Sequence, residues 1–115
     1  MPLLKLETNA ALSEDKRKAL LGPLSKTVAE IVGKPEQYVM VTIGQAGMLM
    51  SGSAGDAAFV DIRGIGGLNY DVNRKLAERV CMLLQEFLGI PPNRVYLNFT
   101  ELEAGNWGWN GNTFG

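Results

Sequence analysis

The chain has 115 residues, a formal net charge of −1 and 46% hydrophobic residues, a composition that predicts one globular domain over residues 1–115 and excludes a disordered chain. The near-zero charge argues against nucleic acid as a partner, and no apolar run approaches the roughly 20 residues that span a membrane. The N-terminal segment lacks the pattern of a signal peptide, so we expect a cytoplasmic protein.

The side-chain inventory excludes several kinds of chemistry. The chain has no histidine and one cysteine, Cys81, which is predicted to be a buried, inert thiol. Ser-His-Asp hydrolysis, histidine-based metal sites and CxxC redox or zinc motifs are therefore absent. We expect no metal and no cofactor, so any catalysis must use carboxylates, amines, phenols, amides or the chain terminus.

The first half of the chain predicts a strand, a helix and a strand. Residues 3–7 form a short apolar strand, and Ser13 is a candidate N-cap that precedes an apolar stripe of helical period. The Gly22-Pro23 pair predicts a kink or a late start of this helix, and Gly33 is its expected end. Residues 38–43 are rich in β-formers and predict the second strand.

The second half repeats this order. Residues 44–55 are rich in Gly, Ser, Ala and Met and predict a loop, in which residues 48–50 are a candidate short strand. A strand over 57–62, a helix that Asn69 caps and a strand over 94–99 follow. The order predicts two β-α-β units that build an α+β, ferredoxin-like fold, with a four-stranded mixed sheet and both helices on one face.

An internal repeat supports the duplication. Shifting the sequence by 56 residues aligns the halves 1–56 and 57–115 without a gap, and superimposes Leu20 on Leu76, Gly33 on Gly89 and Pro35 on Pro91. The strands carry apolar residues on both faces, so the helix-free face is expected to be apolar and buried in a homo-oligomer. The alternative is that residues 44–55 or the C-terminal tail cover that face.

Several short motifs, taken in order, resemble one known family. They are Met1-Pro2, Gly33-Lys34-Pro35, Gly64-Ile65-Gly66, the strand from Arg94 to Phe99, and the tail from Gly108 to Phe114. Their order and spacing over the whole chain resemble the macrophage migration inhibitory factor (MIF) family of the tautomerase superfamily. The resemblance implies a homotrimer whose three sheets form an inner barrel. It also implies keto–enol tautomerase activity on phenylpyruvate-like and dopachrome-like compounds, at sites between subunits.

Pro2 is the catalytic residue that the resemblance implies. Removal of Met1 would leave a secondary amine at the N-terminus, and an apolar pocket or a nearby cation would lower its pKa, as a general base requires. If Met1 is retained, the nitrogen is an amide and cannot act as a base. On its own, a second-position proline is only a signal for methionine removal.

The resemblance also implies a set of substrate-binding residues. Lys34 would bind a substrate carboxylate, although by itself it fits a solvated lysine at a helix end. Tyr96 and Asn98 lie two residues apart on one strand and would face a neighbouring subunit's site. Tyr96 would form a wall and stabilise the enolate, although an ordinary strand aromatic is the alternative. The rest of an aromatic slot for a small keto acid or enol would come from Tyr38, Ile65, Trp109 and Phe114, with Trp107 at its rim.

Departures from the family pattern limit what the resemblance implies. Residues 57–60 read Ala-Ala-Phe-Val where the animal cytokine has a CxxC pair, which excludes thiol–disulfide oxidoreductase activity. Trp107 replaces a smaller aliphatic residue, and Phe99 replaces a tyrosine. Two alternatives stay open beside the enzyme. One is a cytokine-like interaction protein with a receptor, a vestigial pocket and export without a signal peptide. The other is a ligand-sensing ferredoxin-like module.

Overall fold

A computed structural model describes all residues from 1 to 115 as two β-α-β units followed by a small hairpin. The main elements are β1 (Leu3–Thr8), α1 (Glu14–Val32), β2 (Met40–Gln45), β3 (Ala58–Gly64), α2 (Tyr70–Leu88), β4 (Val95–Glu101), β5 (Gly108–Trp109) and β6 (Asn112–Thr113). Short 3-10 turns lie at Glu36–Tyr38, Pro92–Arg94 and Ala104–Asn106. Neither long helix carries an apolar stretch that would allow it to cross a lipid bilayer.

The four long strands form one mixed sheet in the order β2-β1-β3-β4. β1 is parallel to β2 and antiparallel to β3, and β3 is parallel to β4. Both helices pack on one face of this sheet. The predicted fold class, with two helices on a four-stranded mixed sheet, is therefore confirmed.

Local sequence signals fix both ends of each helix. The Ser13 side chain accepts a hydrogen bond from the Lys16 N–H at 3.1 Å, and Asn69 accepts one from Val72 at 3.0 Å. Gly33 and Gly89 end the helices with φ of +77° and +69°. α1 begins at Glu14 and continues through Pro23, so the alternative of a late start after that proline is wrong.

The core lies between the sheet and the helices. Leu4 and Leu6 of β1, with Val60 and Ile62 of β3, are fully buried on the helix-covered face. They meet the apolar stripes of the two helices, whose most buried members are Leu20, Leu24, Val28, Leu76, Val80 and Leu84. The two-residue apolar pattern of the strands and the 3.6-residue apolar pattern of the helices thus predict the same buried core.

The segment between the two units differs from its prediction. β2 begins only at Met40, because the preceding residues form a 3-10 turn. No strand forms over 48–50, where the structure has an isolated bridge between Met50 and Ser53. The Arg94 guanidinium holds this loop through its backbone carbonyls, with bonds of 2.8 Å to Met50 and 2.9 Å to Gly55. A long-range clamp of this kind leaves no local pattern in the sequence.

The helix-free face of the sheet is not the apolar surface that was predicted. Its central row, read across the strands, is Thr42, Lys5, Asp61 and Asn98. Exposed apolar side chains flank this row, with Met40 on one side and Phe59 and Tyr96 on the other. The prediction was wrong because it left out Lys5, Thr42, Asp61 and Asn98, which the two-residue alternation within each strand places on this face.

Asp61 is the charged centre of this row. It forms a 3.0 Å salt bridge with Arg63 and accepts a hydrogen bond from the Asn98 amide at 3.2 Å. Burial acts to raise the pKa of Asp61, but the hydrogen bonds from Arg63 and Asn98 and the charges of Arg63 and Lys5 outweigh it and lower the pKa overall. The centre of the open face is thus an ionised polar network.

Candidate active site

A cleft of about 520 Å³ opens at the end of the sheet where β1 begins. Its lining comes from four separate segments and comprises Met1, Lys34, Pro35, Tyr38, Ile65, Ala104, Trp109 and Phe114. The structure therefore brings together five of the residues that were predicted from the sequence to bind substrate. They come from the segment between α1 and β2, the loop after β3 and the C-terminal hairpin.

Pro2 lies buried directly behind Met1. Its carbonyl oxygen accepts a hydrogen bond from the Met40 N–H at 3.0 Å, which joins the start of β1 to β2. A Cβ atom added to Gly64 would lie 3.9 Å from the Pro2 Cα and 3.7 Å from the Met1 carbonyl oxygen. Gly64 thus packs against the start of the chain. With Met1 in place, the Pro2 nitrogen is part of a peptide bond.

Lys34 is the cation of the cleft. It follows the left-handed Gly33, and its N–H donates to the Ala29 carbonyl at 3.1 Å, which fixes its backbone at the helix end. The side chain is half-buried and forms no salt bridge within 4.0 Å. A cation with a partly desolvated stem and no paired carboxylate can bind an anionic group.

The loop after β3 forms the surface against which Lys34 lies. A Cβ atom added to Gly66 would lie 3.6 Å from the Lys34 Nζ, and one added to Gly67 would lie 3.5 Å from its Cε. The Gly67 position would also place a Cβ only 2.8 Å from the Val32 Cγ1. The loop thus lies in ordinary contact range of the lysine side chain, and only the approach of Gly67 to Val32 leaves no room for a Cβ atom.

The charges around the N-terminus act in opposite directions. Partial burial lowers the pKa of the Met1 amine, and the positive charge of Lys34 lowers it further. The negative charge of Glu101 acts to raise it, but the net shift is downward. An amine at this end of the cleft is thus biased towards its neutral form.

The hairpin of β5 and β6 supplies an aromatic wall. The Trp109 and Phe114 rings are stacked, with centroids 6.0 Å apart and planes 10° from parallel. Asn110 and Gly111 have φ of +55° and +76°, as a two-residue Asn-Gly hairpin turn requires. Both rings stay partly exposed, at 59% for Trp109 and 39% for Phe114, so they offer a flat apolar surface to a ligand.

Three predicted site residues lie outside this cleft. Tyr96 lines a second hollow of about 420 Å³ with Phe59 and residues 47–51. Asn98 lies in the polar row, where it donates to Asp61 and, at 2.6 Å, to the Thr100 hydroxyl. Trp107 is half-buried, and its carbonyl oxygen accepts from the Phe114 N–H at 3.1 Å. That Tyr96 and Asn98 serve a neighbouring subunit's cleft stays a prediction.

One residue near the site was missed by the sequence reasoning. The Glu101 carboxylate accepts hydrogen bonds from the Gly66 N–H at 2.7 Å and from the Leu68 N–H at 3.2 Å. Glu101 pairs with Gly64 in the parallel register of β3 and β4, which brings it to the mouth of the loop. The predicted strand ended at residue 99, two residues short of Glu101, which is the last residue of β4.

The duplicated β-α-β fold, with a cleft at the start of β1, is the fold of the tautomerase superfamily. Within it, the chain belongs to the macrophage migration inhibitory factor family, because the family model described as "Macrophage migration inhibitory factor (MIF)" matches residues 1–115. The resemblance noted from the motifs is thereby confirmed.

Known relatives match over almost their full length. A macrophage migration inhibitory factor homolog from Brugia malayi is 38% identical over 117 residues, covering 100% of both chains. The crystal structure of a macrophage migration inhibitory factor-like protein from Entamoeba histolytica has a TM-score of 0.95 at 32% identity, covering 98% of each chain. A homologue from Prochlorococcus marinus has a TM-score of 0.94 at 36% identity, covering 98% of this chain and 99% of its own.

Proposed function

We propose that the protein is a cofactor-free keto–enol tautomerase of small aromatic 2-oxo acids such as phenylpyruvate, and that Pro2 is its general base after removal of Met1. The observation that carries this proposal is the placement of a buried second-position proline behind a cleft that holds Lys34 and a stacked aromatic pair. A cation can bind a substrate carboxylate, the aromatic pair can pack against a substrate ring, and an amine at Pro2 can take a proton from the carbon between them.

The proposed substrate pose follows from the chemistry of the lining. The substrate carboxylate binds the Lys34 ammonium, and its ring packs against Trp109 and Phe114. Tyr38 and Ile65 border the same space. In this arrangement the carbon next to the carbonyl group faces the start of β1, where loss of Met1 would place the proline amine.

The proposed reaction moves a proton from carbon C3 of the substrate to its carbonyl oxygen, or back. The Pro2 nitrogen takes a proton from C3 of the keto form, the C–H electron pair forms the C2=C3 bond, and the carbonyl oxygen becomes an enolate oxygen. The protonated Pro2 amine then gives this proton to the enolate oxygen, which forms the enol and regenerates the neutral base, and the reverse sequence gives the keto form. Burial and Lys34, which lower the pKa of the terminal amine in the longer chain, would also favour a neutral amine at Pro2.

The proposal includes a trimer, because part of the site is missing from one chain. Tyr96 and Asn98 are exposed on the helix-free face and do not line the cleft that holds Lys34. We propose that they complete the cleft of a neighbouring subunit, where the Tyr96 phenol donates to the developing enolate and Asn98 binds a substrate oxygen. The cytoplasm is the proposed location.

The test begins with the state of the N-terminus. Intact mass spectrometry determines whether Met1 is removed, and a phenylpyruvate tautomerase assay then measures the processed chain. The critical variants are Pro2→Gly and an insertion of one alanine before Pro2, which converts the proline nitrogen to an amide. We expect the insertion to reduce kcat/KM by at least about 100-fold, in the range of a lost general base.

Matched controls separate loss of the base from loss of the fold. Circular dichroism and light scattering should show the same secondary structure and a three-chain mass for both variants and the parent protein. Full turnover in the alanine-insertion variant would overturn the role of Pro2. A processed, folded parent chain without turnover on aromatic 2-oxo acids would instead favour the interaction-protein alternative.

A further inference from the structure

We propose that Glu101 is a positioning residue of this site, which clamps the loop after β3 in the shape that seats the Lys34 side chain and partly balances the lysine charge at the chain terminus. The kinetic consequence rests on the proposed tautomerase function. The clamp itself does not, because it concerns hydrogen bonds between residues of one chain.

The clamp consists of two hydrogen bonds from the loop to Glu101, and a third bond joins the end of β3 to the residue after β4. The Glu101 carboxylate accepts from the N–H groups of Gly66 and Leu68, at 2.7 and 3.2 Å. One residue further, the Leu102 N–H donates to the Gly64 carbonyl at 2.8 Å. The side chain of Glu101 thus continues the ladder of β3 and β4 past the point where the strands end.

The loop needs such a clamp because its backbone has little restraint of its own. Gly66 and Gly67 have φ of +69° and +94°, and both are free of side chains that could anchor them by packing. Exposed amide groups in a glycine-rich turn exchange partners with water readily, whereas a carboxylate gives a charge-assisted acceptor. Glu101 therefore selects one loop shape among several.

The loop shape in turn sets the geometry of the cleft. Ile65 lines the cleft, and the Gly66 and Gly67 backbone lies against the Nζ and Cε ends of Lys34. If the loop shifts, both the apolar wall at Ile65 and the path of the lysine side chain shift with it. Glu101 acts on the ligand through these residues, without lining the cleft itself.

The charge of Glu101 has a second effect. The two charged side chains that act on the terminal amine are Lys34, which lowers its pKa, and Glu101, which acts to raise it. A base must have a pKa low enough to be neutral but high enough to take a proton. Two opposite charges nearby can set its pKa between these limits. Glu101 pairs with Gly64 in the register of β3 and β4, and Gly64 packs against Met1 and Pro2, so the carboxylate lies at the same end of the sheet as the amine and can limit the effect of the lysine.

Three variants separate the clamp from the charge. Glu101→Ala removes both acceptor oxygens, and Glu101→Gln removes the charge but keeps one acceptor. Glu103→Ala is the matched control, because Glu103 is an exposed carboxylate two residues away whose side chain forms no hydrogen bond or salt bridge. Two measurements apply: amide hydrogen exchange at Gly66 and Leu68, and an NMR titration of the ¹⁵N-labelled N-terminal nitrogen.

We expect Glu101→Ala to speed exchange at both amides by at least about tenfold, as the loss of a hydrogen bond to a charged group predicts. Glu101→Gln should lower the pKa of the N-terminal amine and move the acid limb of kcat/KM to lower pH. Glu103→Ala should leave exchange and titration as in the parent chain.

Unchanged exchange in Glu101→Ala would overturn the clamp, and an unchanged amine titration in Glu101→Gln would overturn the charge balance. Changes of equal size in Glu103→Ala would overturn both, since the effect would then belong to the whole segment. Exchange and titration need no turnover, so an inactive parent protein would refute the proposed function without deciding this inference.

Discussion

Gly67 is a position at which one added methyl group should strongly disturb the protein. Its φ of +94° lies where side-chain-bearing residues are strained, and an added Cβ would come within 2.8 Å of the Val32 Cγ1 and 3.3 Å of the Val32 carbonyl oxygen. Val32 is the last residue of α1 and 9% exposed, so its side chain has little room to move. Gly67→Ala must therefore shift either the helix end or the loop.

Two terms add to the expected loss of stability. Left-handed backbone at a non-glycine residue costs about 1–2 kcal/mol, and forcing a methyl group into a packed contact costs about 1–3 kcal/mol. Their sum is roughly 2–5 kcal/mol, a large share of the stability of a domain of this size. The shift should also move Lys34, whose Cε lies 3.5 Å from the added atom.

The matched control is Gly44→Ala. Gly44 lies inside β2, its φ is outside the left-handed region, and an added Cβ meets no atom within 4 Å, so alanine should stabilise the strand by roughly 0.5–1 kcal/mol. Guanidinium unfolding followed by circular dichroism, at one fixed protein concentration, gives both differences. Opposite signs are expected for the two substitutions. A stability of Gly67→Ala equal to that of the parent chain would refute the close-approach argument.

Three further predictions concern single charged residues. Lys34→Met should raise KM for aromatic 2-oxo acids by about 10- to 100-fold, measured by steady-state kinetics, because a charge-assisted contact is worth roughly 1.5–3 kcal/mol; an unchanged KM would contradict its binding role. Arg94→Lys should speed hydrogen exchange over residues 50–55, because an ammonium cannot reproduce the four hydrogen bonds that the guanidinium group donates to carbonyls. Unchanged exchange there would contradict the role of Arg94 in holding this loop. Because the pKa of Asp61 is lowered below its ordinary value near 3.8, its contribution is present above that pH and is lost as pH falls through the folded-state pKa. Asp61→Asn should therefore reduce stability by about 0.5–1 kcal/mol at neutral pH and flatten the acid limb of a denaturation series, and an identical acid limb would refute the network.

The parts of the fold that follow local rules were predictable from the sequence. Ser13, Asn69, Gly33 and Gly89 mark both ends of each helix through short-range hydrogen bonds and backbone preference, so pattern and structure agree there. The duplicated β-α-β order likewise follows from hydrophobic periodicity and the 56-residue repeat.

The parts that depend on register and distant contacts were not predictable in the same way. The polar row exists only because the registers of three strand pairs place its members side by side, namely Thr42, Lys5, Asp61 and Asn98. Arg94 and Glu101 act on loops more than 30 residues away, as their sequence separations of 39 and 35 show. The residues of the cleft could be named beforehand only through family resemblance, since no local rule joins Lys34 to Trp109.

The polar row across the open sheet determines what kind of chain can approach that face. An apolar partner would remove water from Lys5 and Asp61 without supplying hydrogen bonds in its place. Burying charged groups in this way has a high cost in free energy. A partner that packs on this face must instead offer donors and acceptors that match the row. If the proposed trimer packs on this face, a homologous chain whose row carries different side chains should assemble with this chain less readily.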